Sequence, residues 1–335
     1  MQYTFAGIST LALLPYFSSV TGIDPSESMI SKALRDPNDA SLPAALRPHP
    51  LQADSAEVKL TGASHQVGKL GELSYLQDSA MTLEKYLERA AGSGQVPEEA
   101  KLDLIISAQA SHWLTPYSSL LPLLNRVLRP KGSLVFFGYS EFFIPKYPSL
   151  SPLISTYSNG KAPPHKDDAI GEYWERPGRT IVDQGLTAIP FPWEEGSGVD
   201  PKEAQSTWSR ESGQRRVFST AGLASDGWDE HWASQDPLSE SERRASSEFS
   251  MSKMVTWETF AGYLNTWSSL RNYMDAVPDD AAQFGGGKED VSQRFLRRIK
   301  EAMLEAEKQR NGSDVTLPEE FEIRWPLHVY AVKKK

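Results

Sequence analysis

The stretch SSVTGIDPSESMISKAL, residues 18–34, combines a strand, an acid and a helix. Its first half is rich in β-branched residues and ends on Asp24, which is typical of a strand. Its second half begins with Pro25 and has Ser26 or Ser28 near its start, which predicts a helix. In an α/β unit, an acid that ends the second strand is the usual partner of a nucleotide's ribose hydroxyls. The stretch therefore predicts an α/β fold and makes Asp24 a candidate binding residue.

The segment just upstream, AGISTLALLPYFSSVTGI at residues 6–23, is apolar enough to raise the question of a targeting signal. A secretory signal needs basic residues before its apolar run, yet residues 1–23 contain neither Lys nor Arg. Pro15 also interrupts the run, and the segment is too polar to span a bilayer comfortably. We read it as a short buried helix that leads into the strand, and we expect no membrane partner.

The composition of the chain limits the functions that it can have. The 335 residues suggest one large or two modest domains. A net charge of −9 disfavours binding to nucleic acid or to anionic membranes. The chain has no Cys, which excludes disulfides, Cys-based zinc sites and thiol nucleophiles and fits a cytoplasmic location. No metal site is expected, because ligand spacing is absent around His49, His65, His165, His231 and His328.

Strand and helix patterns alternate through the first half of the chain. Continuous apolar runs predict buried strands, and apolar or amphipathic segments closed by Gly or Pro predict helices. The strand-like segments are GELSYLQDSA (71–80), KLDLIISAQA (101–110) and SLVFFGYSEF (133–142), and the helix-like ones are TLEKYLERAAGS (82–93) and PYSSLLPLLNRVLRPKG (116–132). Such alternation predicts a doubly wound, mostly parallel sheet.

The sequence changes character near residue 145, and three regions are predicted. Residues 1–145 form the α/β core, residues 146–285 an inserted lid or substrate region rich in Pro and aromatic residues, and residues 286–335 complete the core. In VSQRFLRRIKEAMLEAEKQ (291–309), apolar residues at a spacing of four predict a helix that packs on the core. The final segment, FEIRWPLHVYAVKKK (321–335), predicts an antiparallel hairpin around its Pro at the sheet edge.

Six segments occur in a characteristic order. They are VTGIDPSESMISKA (20–33), DLIISAQASHWL (103–114), LRPKGSLVFFGYSEFFIPKYP (128–148), GEYWERPGR (171–179), YLNTWSSL (263–270) and FEIRWPLHVYAVKKK (321–335). Together they resemble the class I S-adenosylmethionine-dependent methyltransferases, and more narrowly the trans-aconitate methyltransferase group. The resemblance covers nearly the whole chain, and its HW, GY and YWERPGR motifs are the most specific. It implies a Rossmann-like methyltransferase fold that binds S-adenosylmethionine across the carboxyl ends of its strands.

The resemblance also implies residue roles. Asp24 matches the ribose-binding acid, and Gln109 matches a position that faces the methionine part of the cofactor. The implied cofactor-binding residues are Gly7, Asp24, Asp78, Ser79, Ala80 and Gln109. His112 is the candidate catalytic residue, at the mouth of the active site. The implied acceptor-binding residues are Trp113, Tyr139, Tyr173, Trp174 and Arg179, with Arg176 as a further candidate.

The N-terminal end departs from the family pattern D-x-G-x-G-x-G. Gly7 stands where the last glycine belongs, but Phe5, Tyr3 and Met1 take the places of the middle glycine, the first glycine and the acid. Glycine lets the backbone approach the cofactor where a Cβ would clash. We therefore expect an N-terminally incomplete chain that lacks most of the first strand and its glycine loop.

The expected reaction is transfer of a methyl group to an oxygen of a small carboxylic acid. A carboxylate is ionised near neutral pH and needs no general base, so orientation and desolvation would carry catalysis. For a hydroxyl acceptor, His112 could act as the base. One alternative is a non-catalytic binding protein that has lost the glycine loop. Another, a nicotinamide-dependent oxidoreductase, has no place for the HW, GY and YWERPGR motifs. The sequence does not predict the oligomeric state.

Overall fold

The computed structural model describes residues 10, 13, 16–35, 57–61, 72–90, 96, 98, 101–160, 168–218, 251–280 and 289–335. The architecture is mixed α/β, as the sequence predicts. The chain divides into two compact units, a smaller one within residues 3–103 and 119–129 and a larger one within residues 104–118 and 130–335. The larger unit thus contains residues on both sides of position 145.

The smaller unit contains a three-stranded sheet. Its strands are β1 (Ser19–Asp24), β2 (Glu57–Thr61) and β3 (Glu72–Gln77), in the order β1-β3-β2. Its helices are α1 (Glu27–Arg35), α2 (Leu83–Ala90) and most of α3 (Tyr117–Val127). Strands β1 and β3 are parallel, with Asp24 opposite Gln77, whereas β2 is antiparallel to β3. The parallel pair ends at one edge of the sheet, where Asp24 is the last residue of β1 and Asp78 follows β3.

Local hydrogen bonds explain how β1 passes into α1. The Asp24 Oδ1 atom accepts from the backbone N–H of Ser26 at 2.8 Å, and the Ser26 Oγ faces the N–H of Met29 at 3.4 Å. Ser26 is therefore the cap residue, one of the two predicted from sequence. Gly22 is required within β1, because a Cβ there would lie 2.8 Å from the ring of buried Tyr75.

The larger unit contains two sheets. Its strands are β4 (Leu102–Ala108), β5 (Leu128–Tyr139), β6 (Trp208–Phe218), β7 (Met251–Thr256), β8 (Glu320–Trp325) and β9 (Leu327–Lys334), the first two belonging to it for most of their length. The strand orders are β4-β5-β9-β6 and β7-β8. Strand β9 is antiparallel to both β5 and β6, and β7 is antiparallel to β8. The backbone N–H of Gln109 donates to Phe137 O at 2.7 Å, so β4 and β5 end side by side, as parallel strands do.

The predicted C-terminal hairpin is wrong, although both of its strands exist. β8 pairs with β7, and β9 lies between β5 and β6, so the two strands are not paired with each other. Only Pro326 separates them. A hairpin needs a loop of at least two residues, so one residue cannot reverse the chain.

Helices cover the larger unit and form its main apolar core. They are α4 (Ser151–Asn159), α5 (Gly178–Asp183), α6 (Pro201–Thr207), α7 (Trp257–Leu264), α8 (Ser268–Ala276) and α9 (Val291–Asn311). The predicted apolar face of α9 is confirmed, because its four members are fully buried: Val291, Phe295, Ile299 and Met303. The ring of Phe295 stacks on Tyr157 with centroids 3.9 Å apart. Within the described ranges, no helix is both long enough and apolar enough to span a bilayer.

Candidate functional site

The carboxyl edge of the sheet in the smaller unit brings several of the predicted cofactor residues together. Asp24 ends β1 and Asp78 follows β3, and the register of the parallel pair sets them side by side. Asp24 is half-buried, and among the described residues its Oδ2 atom makes no hydrogen bond. The Asp78 Oδ1 atom accepts from the N–H of Ser79 at 2.7 Å. Ser79 in turn caps a short 3-10 helix, Ala80–Thr82, by accepting from the N–H of Met81.

Gln109 forms a brace at the carboxyl ends of β4 and β5 in the larger unit. Its backbone adopts a left-handed conformation with φ of 52°. Its side-chain Oε1 accepts from the N–H of Tyr139 at 2.7 Å, and its Nε2 donates to Tyr139 O at 3.0 Å. Gly138 leaves room for this amide, since a Cβ there would lie 2.8 Å from Oε1. The Gln109 amide is therefore already engaged by strand β5.

His112 and Trp113 lie on the short 3-10 helix Ser111–Trp113 that follows β4. Their rings are 4.7 Å apart, with His112 buried and the Trp113 indole 48% exposed. Among the described residues, the His112 Nδ1 atom has no hydrogen-bond partner. Burial, helped by the nearby charge of Arg179, lowers the pKa of His112 to about 4. The imidazole is therefore neutral at physiological pH.

Arg179 is the cation of the larger unit's site and is held from three directions. Its guanidinium lies 4.3 Å from the centre of the Trp174 ring. Its Nε donates to the carboxylate of Asp183 at 2.9–3.0 Å, one helical turn on, and its Nη2 donates to Asn159 Oδ1 at 3.0 Å. Among the described residues, Nη1 makes no hydrogen bond. The side chain is only 11% exposed, so its orientation is fixed while one nitrogen remains available for a ligand.

Gly178 lets the Arg179 segment pack on the 3-10 helix of His112. A Cβ on Gly178 would lie 2.5 Å from the Trp113 ring, so the start of α5 rests directly on that indole. The HW and YWERPGR motifs, more than 60 residues apart in sequence, are therefore in contact.

Glu141 adds a buried acid to this cluster. It follows β5 and is 5% exposed, and its Oε2 atom accepts from Asn159 Nδ2 at 3.0 Å. Burial raises the pKa of Glu141 to about 8, and the negative charge of Asp183 adds to the rise while Arg179 opposes it. Glu141 is consequently mostly uncharged at pH 7, and Asn159 links it to Arg179 through the two ends of one amide.

Aromatic side chains border the cluster. Tyr263 is half-buried and its hydroxyl accepts from Trp325 Nε1 at 2.8 Å. Burial raises the pKa of Tyr263 to about 12, and both Arg179 and Glu141 act on it electrostatically. Tyr139 lies edge-on to Trp325 at 6.0 Å, and burial raises the pKa of Tyr139 as well. These phenols stay protonated near neutral pH and can donate hydrogen bonds.

No protein-family model matches the chain. Three solved structures resemble it weakly. One, described as a "Putative Type II Methyltransferase" from Anaeromyxobacter dehalogenans, is 17% identical with a TM-score of 0.49, and the match covers 97% of this chain and 85% of that one. The YcgJ protein from Bacillus subtilis is 11% identical with a TM-score of 0.34, covering 98% of this chain and 88% of its own. A "putative methyltransferase" from Bacillus halodurans is 11% identical with a TM-score of 0.33, and the match covers 98% of this chain and 88% of that one. Likenesses at this level assign neither a family nor a function.

The predicted site residues therefore fall into groups. Asp24, Asp78, Ser79 and Ala80 share an edge of the smaller unit, whereas the larger unit assembles Gln109 with Tyr139, and His112 and Trp113 with Trp174 and Arg179. Tyr173 differs, because its ring packs edge-on against Tyr273 at 5.0 Å and makes no hydrogen bond or ring contact with Arg179 or His112. Gly7 lies outside the described residues. Their roles in binding stay predictions.

Three residues of the cluster carry no role in the sequence analysis: Glu141, Asn159 and Asp183. Only Asp183 had a local signal, since it follows Arg179 by four residues, a spacing that pairs opposite charges on a helix. Glu141 and Asn159 meet through folding alone, 18 residues apart. Within the described part of the chain, no group of three or more His, Asp or Glu residues is arranged to hold a metal ion.

Proposed function

We propose that this chain is an S-adenosylmethionine-dependent methyltransferase that acts on an oxygen of a small carboxylic acid, as the trans-aconitate group does. The observation that carries the proposal is the convergence of three motif segments from the sequence resemblance. His112 and Trp113 come from the first, Tyr139 and Glu141 from the second, and Trp174 and Arg179 from the third. If the resemblance were a coincidence, these segments, which are distant in sequence, would not be expected to meet around the buried side chain of Arg179.

The residues at the edge of the smaller unit fit the cofactor. Asp24 uses Oδ1 to accept from the N–H of Ser26 just before α1 and leaves Oδ2 as an acceptor, which is what a ribose hydroxyl requires. Asp78, Ser79 and Ala80 would border the adenine, by resemblance. In the larger unit, the amide of Gln109 is engaged with Tyr139, so we assign it a bracing role. When bound, S-adenosylmethionine supplies an electrophilic methyl group on a sulfonium.

The charges of the cluster favour a carboxylate acceptor over a hydroxyl. A hydroxyl must lose its proton, and His112, with a pKa of about 4, is a weak base for that task. A carboxylate is already ionised. It needs a fixed cation, which Arg179 provides through Nη1, and aromatic surroundings that exclude water. Trp174, which covers the guanidinium, and the region 146–285 that carries it would form the acceptor side.

The test is a transfer assay with methyl-labelled S-adenosylmethionine. The acceptor panel pairs small mono-, di- and tricarboxylic acids, trans-aconitate among them, with the corresponding amides and alcohols. We expect label on acids alone, and release of the label as methanol in mild base, because the product is a methyl ester. Label on alcohols would assign a hydroxyl acceptor instead. Absence of transfer to every compound, with no heat of S-adenosylmethionine binding, would overturn the proposal and favour a non-catalytic binding protein.

A further inference from the structure

The carboxyl group of Glu141 is buried but only partly satisfied. Its Oε2 accepts one hydrogen bond, from Asn159, and among the described residues its Oε1 has no hydrogen bond. A buried acid this close to Arg179 would ordinarily pair with it. Instead, the guanidinium is committed to Asp183 and to the amide oxygen of Asn159. The arrangement keeps the cation and the acid apart, with one unused nitrogen on Arg179 and one unused oxygen on Glu141.

The neighbours of Glu141 leave it uncharged. From α5, Arg179 favours the carboxylate, but Asp183 opposes it, and burial outweighs both. From α4, Asn159 is neutral and donates to Oε2. From α7, Tyr263 holds its proton up to about pH 12, and from the 3-10 helix after β4, His112 is neutral above about pH 4. The proton of the acid therefore resides on Oε1, because Oε2 faces a donor, and Oε1–H is free to donate to a ligand.

We propose that Glu141 is a specificity-determining residue that, uncharged, donates a hydrogen bond to a carboxylate of the acceptor while Arg179 Nη1 supplies the positive charge. Asn159 is its positioning residue, since one amide orients both groups. This inference rests on the proposed methyl transfer to an acid. It explains why a site for an anion contains an acid: protonated, Glu141 is a donor that adds no negative charge.

The Glu141→Gln variant tests this directly, because glutamine reproduces the protonated acid. Its carbonyl oxygen can accept from Asn159 and its NH2 group can donate to the ligand, yet it cannot ionise. Glu141→Ala removes both functions. Glu319→Gln, an exposed site, is the matched control. For each protein, KM and the equilibrium Kd for trans-aconitate are measured from pH 6.5 to 9, where its carboxyl groups are already ionised. Binding of S-adenosylmethionine serves as a check that each variant is folded.

The expected pattern is specific to a donor role. Wild-type protein and Glu319→Gln should bind with constant affinity below about pH 8 and lose roughly tenfold per pH unit above it, as Glu141 ionises. Glu141→Gln should match wild type within about threefold at pH 7 and stay flat to pH 9. Glu141→Ala should bind about tenfold or more weakly at pH 7, because a hydrogen bond to a charged group is lost.

Two results would overturn the inference while leaving the proposed function intact. One is normal acid methylation by Glu141→Ala, and the other is a loss of affinity in Glu141→Gln as large as in Glu141→Ala. Should Glu141→Ala fail to fold, the pH profiles of wild type and Glu141→Gln still decide. A wild-type protein that neither binds nor methylates any carboxylic acid would instead defeat the proposed function, and this inference with it.

Discussion

The side-chain amide of Gln109 pairs with both backbone groups of Tyr139, accepting from its N–H at 2.7 Å and donating to its C=O at 3.0 Å. These two hydrogen bonds extend the pairing of β4 with β5 by one residue beyond the end of β4. It holds the segment after β5, including Glu141, in register with the segment that carries His112. Phe143 fixes the same segment from the other side, through two backbone hydrogen bonds to Arg324 of β8.

Replacing Gln109 by Leu should therefore destabilise the fold. Leucine has similar bulk but removes both hydrogen bonds of Gln109 to the N–H and C=O of Tyr139, at a cost of about 1–3 kcal/mol for each group that stays buried. Chemical denaturation measures the loss. Gln205→Leu, on the exposed face of α6, is the control and should change the free energy of unfolding by less than about 0.5 kcal/mol. Equal stabilities for the two variants would contradict the bracing role.

One substitution at Asp24 distinguishes a local structural role from a cofactor-binding role. The side-chain oxygen of Asn can accept from the backbone in a turn as that of Asp does, so Asp24→Asn should keep the hydrogen bond to the N–H of Ser26 and leave stability nearly unchanged. It replaces the second carboxylate oxygen by a donor, however, and should weaken S-adenosylmethionine binding about 10- to 100-fold by calorimetry. Asp200→Asn, at the cap of α6, is the matched control. Unaltered cofactor affinity in Asp24→Asn would leave Asp24 with only its hydrogen bond to Ser26.

Periodicity and strand-end residues predicted much of the fold. The four-residue spacing of Val291, Phe295, Ile299 and Met303 marks a face that is fully buried. The acid at the end of β1 and the apolar runs of β3, β4 and β5 also form where the pattern indicates. These signals are local, because helix faces and buried strands depend on residues a few positions apart.

The pairing between distant segments was harder to predict from the sequence. The pattern predicted two C-terminal strands but not their partners, since β8 pairs with β7 and β9 pairs with β5 and β6, which are distant in sequence. The site shows the same limit. Asn159 has no charge and ends an ordinary helix, so nothing in the sequence near it indicates that it joins Glu141 to Arg179. Motif resemblance identified Arg179 and Trp174, whereas the roles of Glu141 and Asn159 became visible only in the structure.

Two buried histidines should make stability depend on pH. Burial lowers the pKa of both His112 and His328 to about 4, from an ordinary value of 6.5. Between these values the unfolded chain binds a proton at each histidine that the folded protein does not, so the contribution of the histidines to stability falls as pH drops through this window. Each group contributes a slope of about 1.4 kcal/mol per pH unit. His112→Gln should show a shallower loss between pH 6.5 and 4 in urea titrations, and adding His328→Gln should flatten it further. An unchanged slope in His112→Gln would mean that the imidazole is accessible to protons.

Arg179 is expected to bind the acceptor through charge and geometry together. Arg179→Ala should raise KM for an acidic acceptor about 10- to 100-fold, because a charge-assisted hydrogen bond is lost. Arg179→Lys keeps the charge but cannot reach Asp183, Asn159 and a ligand at once, nor stack as a plane on Trp174, so we expect an intermediate KM. Arg176, the further acceptor-binding candidate of the same motif, is exposed and its Nη1 donates to Thr180, so Arg176→Ala should raise KM much less than Arg179→Ala does. If Arg176→Ala raised KM as much as Arg179→Ala, the effect would be one of general charge, and the fixed orientation of Arg179 would not be what selects an acid.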